Sequence, residues 1–142
     1  MDDLDVRIGQ LALEGRCCTQ IMVQIALQDI GRDDPEMVQA VGALCLGLHS
    51  GDCCGALSGG ALAMGLLAQR SLEPSLVTEL AGWFHDTYGS TECDTLLGGD
   101  PMARFTRCPG IVQATYEQAV EILRTHGFAD AGPRTPDASS ST

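Results

Sequence analysis

Seven cysteines occur in this chain, as Cys17-Cys18, Cys45, Cys53-Cys54, Cys93 and Cys108. Cysteine sulfur can bind metals, hold iron–sulfur clusters, or exchange electrons between thiol and disulfide forms. None of the seven belongs to a CxxC pair, the compact loop in which ferredoxins and zinc ribbons gather their thiolates. A shared sulfur site must therefore be assembled by the fold, one cysteine from each of several segments. The spacing points to redox or metal chemistry inside a larger framework.

That framework reads as helical. Leu4, Ile8, Leu11 and Ala12 form a helical stripe from Leu4 to Glu14, which Gly15 ends. A second helix is expected from Cys17 to Ile30 on Ile21, Ile25 and Leu27, with Gly31 as its C-terminal cap. Asp34-Pro35-Glu36 opens a third, since Asp caps, Pro fits the first turn and Glu suits the helix dipole. This helix is expected to run to about Leu48, before the loop His49-Ser50-Gly51-Asp52. A fourth, Cys53 to Gln69, carries Gly55, Gly59, Gly60 and Gly65 among alanine and leucine. Glycine costs a helix about 1 kcal/mol per position relative to alanine. Several in one helix imply close approach by another backbone or by a bulky group. Tight helix packing is the simpler reading, and a cofactor resting on the small-residue face is the sharper one.

Pro74 to Tyr88 forms a fifth helix with Leu76, Leu80, Trp83 and Phe84 facing inward. The loop Gly89 to Glu92 leads to a short turn from Cys93 to Leu97, and a last helix runs from Cys108-Pro109 to about His126. No strand-like alternation is present. The expected fold is all-α, a single compact bundle of five to six helices over residues 1–130. The polar, proline-bearing tail 131–142 is expected to be disordered.

With the helices placed, Cys18, Cys54, Cys93 and Cys108 all fall at or near helix starts. Helix N-termini expose unpaired N–H groups and the positive end of the macrodipole, and both stabilise a thiolate. Thiolate is the form that attacks disulfides and binds metals. Cys45, between Leu44 and Leu46 in mid-helix, reads instead as an inert core residue. Neighbouring Cys17 and Cys53 are undecided, as spare ligands or exchange partners.

Composition closes other routes. The net charge of −11 comes from 19 acids against eight basic residues, all arginine. Such a surface repels nucleic acid and anionic membranes, so neither is an expected partner. Without lysine there is no Schiff-base chemistry and no P-loop lysine. Ser58 lacks a GxSxG setting, Asp33-Asp34 reads as a solvated loop and cap, and no nucleotide fingerprint occurs. His49, four residues before Cys53, could add a ligand, although a polar loop position is the commoner role for such a histidine. His85 reads as part of an aromatic patch, and His126 as a dipole-compensating surface residue. An acidic start without a secretory pattern and no membrane-length apolar run point to a cytoplasmic protein. There, free thiols or metal ligands are favoured over structural disulfides.

These residues resemble the C_GCAxxG_C_C family, whose members are described as redox-active. Cys18-Thr19-Gln20 is similar to its first element, and Cys54-Gly55-Ala56-Leu57-Ser58-Gly59 to the central one, here in CGAxxG rather than GCAxxG order. Ser90-Thr91-Glu92-Cys93 with Leu96-Leu97-Gly98 resembles the third, and Cys108-Pro109 the fourth. The resemblance covers about residues 4 to 128. It implies a helical domain whose four cysteines form a redox or iron–sulfur site. A related domain in multihaem split-Soret cytochromes adds weight to electron transfer and dimerisation. No CxxCH haem motif is present.

Three functions compete. The first is electron transfer by a [2Fe–2S] or [4Fe–4S] cluster on Cys18, Cys54, Cys93 and Cys108, with Cys17, Cys53 and His49 as possible extra ligands. The second is a metal-free dithiol/disulfide protein serving a redox partner. The third is a structural zinc site or a scaffolding helical subunit. An electron-transfer or accessory protein fits better than a stand-alone enzyme. Trp83, Phe84 and Tyr88, with the glycine face of the fourth helix, are candidates for a homodimer interface.

Overall fold

A computed structural model describes residues 3–45, 47–51, 53–68, 72–92, 95–96, 98 and 107–127. Six α-helices and no named strand occur among them: α1 (Asp3–Leu13), α2 (Cys18–Asp29), α3 (Pro35–Ala40), α4 (Gly55–Leu67), α5 (Pro74–Tyr88) and α6 (Cys108–Thr125). The all-α expectation holds. The tail 131–142, called disordered from its composition, lies outside the described residues.

The glycine-rich α4 is the central helix, packed chiefly on α2 and α6 and also on α5. Its glycines explain how. A Cβ added at Gly59 would stand 2.8 Å from Met22 Cβ and 3.1 Å from Thr19 Cα. One added at Gly60 would meet Thr115 Cγ2 at 3.0 Å and Leu80 Cδ2 at 3.2 Å. Helix packing thus accounts for this face, as the simpler reading held. The same face was expected to contribute to a subunit interface, and that is corrected: α2, α5 and α6 of the same chain already cover it.

Around α4 the apolar stripes close a single main core. Leu4, Ile8 and Leu11 of α1 meet Ile21, Met22 and Ile25 of α2, and Leu80 and Phe84 of α5 meet Val112, Tyr116 and Leu123 of α6. Phe84 is wholly buried, and Trp83 and Tyr88 pack edge-on beside it with ring centroids 6.0 Å apart. His85, by contrast, is exposed beside Asp86. His126 Nε2 lies 3.2 Å from Glu79 Oε1, an ion pair when the ring is protonated.

Among the described residues one carboxylate is buried within this core. Asp29, at the end of α2, receives Arg7 Nη2 at 2.9 Å and the Tyr116 hydroxyl. Burial and the Asp29 carboxylate raise the Tyr116 phenol far above the ordinary tyrosine range. Three helices, α1, α2 and α6, are thereby joined at one charge.

The third helix ends earlier than its sequence pattern suggests. Asp34 caps it by accepting from Met37 N at 3.1 Å, yet α3 stops at Ala40 and tightens to a 3-10 turn over Val41–Leu44. Two contacts explain the break. Gly42 lies against Gln20, whose Nε2 a Cβ would approach to 3.0 Å, and the Cys45 sulfur is bonded to Cys17. A wide turn follows over Gly47–Gly51, in which Leu48 and His49 take left-handed conformations with φ of 62° and 55°.

Candidate functional site

The site begins where α2 and α4 start side by side. Gly55 lies against Cys18 and Thr19, and Gly59 against Thr19 and Met22. The two helices therefore run parallel, with their N-termini together. A Cβ at Gly55 would stand 3.3 Å from Cys18 Cβ and 2.8 Å from Thr19 Oγ1. Glycine after Cys54 is what lets the Cys18 backbone come this close. The buried Thr19 hydroxyl donates to Gly55 O at 3.3 Å and fixes the register.

Each helix start carries its cysteine. Cys18 is the first residue of α2 and half-buried. Cys54 is the N-cap of α4 and buried, and its carbonyl accepts from Leu57 N at 3.0 Å and Ser58 N at 3.1 Å. The Cys54 N–H donates to Thr91 O at 2.7 Å, and a single antiparallel bridge pairs Cys53 with Glu92. The segment leading directly into Cys93 is therefore docked on the start of α4, although Cys93 itself lies outside the described residues. Tyr88, at the end of α5, also reaches this region. Burial, reinforced by the charge of Cys54, pushes its phenol above the ordinary range.

Cys108, half-buried, is the first residue of α6 with Pro109 in the first turn. Three of the four cysteines expected at helix starts are thus found there. The other candidates fall differently. Cys53 is exposed, and partial burial of its sulfur raises its thiol pKa. His49 places Nε2 3.1 Å from Gly42 O. Cys17, undecided from sequence, is bonded to Cys45 with Cα atoms 6.0 Å apart. Cys45 is indeed buried, but it is not an inert core residue.

Sequence reasoning also overlooked the supports. Gln20 Oε1 accepts from Cys17 N at 3.2 Å while its Nε2 donates to Val38 O at 3.1 Å, so one side chain ties the start of α2 to α3. Glutamine three residues after a helix N-cap is the capping-box signal that would have found it.

Chemically, the junction offers sulfur where N–H groups and the aligned dipoles of two long helices favour thiolate. The donor set suits a soft metal centre. Among the described residues, however, no three His, Cys, Asp or Glu side chains gather around one position. Cys18, Cys54 and Cys108 are all described, so these three sulfurs do not converge on one point; only Cys18 and Cys54 are brought to the same junction.

A helical domain with cysteines at its helix starts, two of them paired across a glycine seam, is the class this fold and site define. The family model described as "Putative redox-active protein (C_GCAxxG_C_C)" matches residues 16–122, and the chain belongs to that family. No curated protein and no solved structure matches it. No helix among the described residues is long and apolar enough to cross a membrane.

Proposed function

We propose that this redox protein transfers electrons through an iron–sulfur cluster held by Cys18, Cys54, Cys93 and Cys108. The observation that supports it most is the junction itself: Cys18 and Cys54 start parallel helices in contact, and the segment entering Cys93 is bridged onto Cys53. A bound cluster would supply a site for accepting and releasing single electrons. The chain's own part is to bring remote thiolates together, to offset their charge with helix N–H groups, and to bury Cys54 from solvent. Thr19 and Gly55 set the spacing, and Tyr88 keeps a neutral phenol near Cys54. An unidentified redox protein would be the partner.

Iron and acid-labile sulfide analysis of anaerobically prepared protein, with an absorption spectrum, tests the reading. Visible charge-transfer bands with stoichiometric iron and sulfide, lost in Cys54→Ser and Cys108→Ser, are expected. Iron-free, colourless protein would overturn it. Zinc alone in the purified protein would point to a structural site, and a reversible crosslink among these four cysteines to metal-free dithiol chemistry.

A further inference from the structure

Cys17 and Cys45 belong to none of the four family elements, and the proposed function uses neither. The fold nevertheless joins them across 28 residues of sequence. Their Cα separation of 6.0 Å lies inside the range that a disulfide spans without moving the backbone.

Three observations distinguish this pair from a crosslink that merely holds the chain. First, the attachment it makes is duplicated: Gln20 already binds Cys17 N and Val38 O and lies against Gly42. Second, the two residues differ in exposure. Cys45 is only 4 % exposed, whereas Cys17, the N-cap of α2, is half-buried. Third, Cys17 is the N-cap of a 12-residue helix, where a thiolate released by reduction finds unpaired N–H groups.

We propose that Cys17 and Cys45 form a second redox centre, a two-electron thiol–disulfide couple that exchanges with external dithiols at the Cys17 sulfur. This inference stands independently of the cluster reading. In the reductive direction a dithiol, as thiolate, attacks Cys17 Sγ. The Cys17–Cys45 bond breaks, its electron pair leaves with Cys45 Sγ, and that sulfur takes up a proton. The second thiol of the reductant then attacks its own sulfur in the mixed disulfide and releases Cys17. Two electrons and one proton enter the protein, leaving Cys45 as thiol and Cys17 as thiolate, as the dithiol becomes a disulfide.

The couple is wired to both sides of the junction. Cys17 precedes Cys18 directly. From Cys45 the chain passes through the left-handed Leu48 and His49 to Cys53 and Cys54.

The test equilibrates the native full-length protein anaerobically in graded mixtures of reduced and oxidised dithiothreitol. Thiols are then trapped with N-ethylmaleimide and assigned by tandem mass spectrometry. Trypsin cuts after Arg16 and Arg32, so the pair joins two peptides and fragment ions locate the bonded sulfurs. The expected result is a Cys17–Cys45 crosslink that opens and closes reversibly with a single two-electron midpoint. It should persist in Cys54→Ser. A crosslink that never forms, that joins other cysteines, or that opens only in denaturant would overturn the proposal. Since the titration needs no substitution at the pair, a misfolded variant cannot mask the answer.

Discussion

At Gly59 a single hydrogen atom decides how closely two helices meet. Replacing it by a methyl, Gly59→Ala, drives a Cβ into Met22 and the Thr19 backbone, and overpacking of this kind costs about 1–3 kcal/mol. Gly65, on the same helix, has only Leu72 at 3.9 Å. Gly65→Ala is therefore expected to be neutral or to stabilise by up to about 1 kcal/mol. Urea unfolding of the two variants checks the contrast, and equal effects would contradict the packing assigned to α4. Tyr116 makes a pH prediction. Its phenol is raised in the fold, whereas the unfolded chain has an ordinary tyrosine of about 10. Below that value both states hold the proton and the contribution is complete. Above it only the fold does, so stability falls as pH rises. Tyr116→Phe should be less stable at neutral pH and show a shallower alkaline decline, measured by urea unfolding at a series of pH values.

Among the elements, the turn after Cys45 holds two non-glycine residues where glycine is at ease. Left-handed conformation costs an ordinary residue roughly 1–2 kcal/mol. Leu48 is half-exposed, so little packing is lost on its removal. Leu48→Gly should raise stability by up to about 1 kcal/mol, the gain being partly offset by a freer unfolded chain; a lower urea midpoint would contradict it. The helices themselves were largely legible in the sequence: Pro74 to Tyr88 is found with the expected bounds, and Asp34 caps as its type predicts. The exception is the stretch after Ala40. Its apolar pattern continues as a helix would, but its conformation is set by Gln20 and Cys17, partners more than twenty residues away. Local periodicity carries no trace of such partners. The same reason hid Asp29, whose charge is answered by Arg7 and Tyr116 from two other helices. The helix-start cysteines were legible because capping and punctuation are local signals. That Cys18 and Cys54 would meet depended on the seam between α2 and α4.

For the molecule as a whole, the net charge of −11 means that folding gathers like charges. Added monovalent salt should screen that repulsion, so the urea midpoint should rise between low ionic strength and about 0.15 M, where the Debye length is about 8 Å. A midpoint that falls would show instead that ion pairs such as Arg7–Asp29 dominate. The parallel arrangement of α2 and α4 has a consequence of the opposite kind. Two parallel helices set like poles side by side, which antiparallel neighbours avoid, and here both positive poles meet where Cys18 and Cys54 stand. Thiolate at either position would offset part of that juxtaposition, an effect of about 0.3–1 kcal/mol. The urea midpoint is then expected to rise modestly as pH passes through the range where the Cys18 and Cys54 thiols ionise, and to lose that rise in Cys18→Ser; an identical profile in the variant would contradict the coupling.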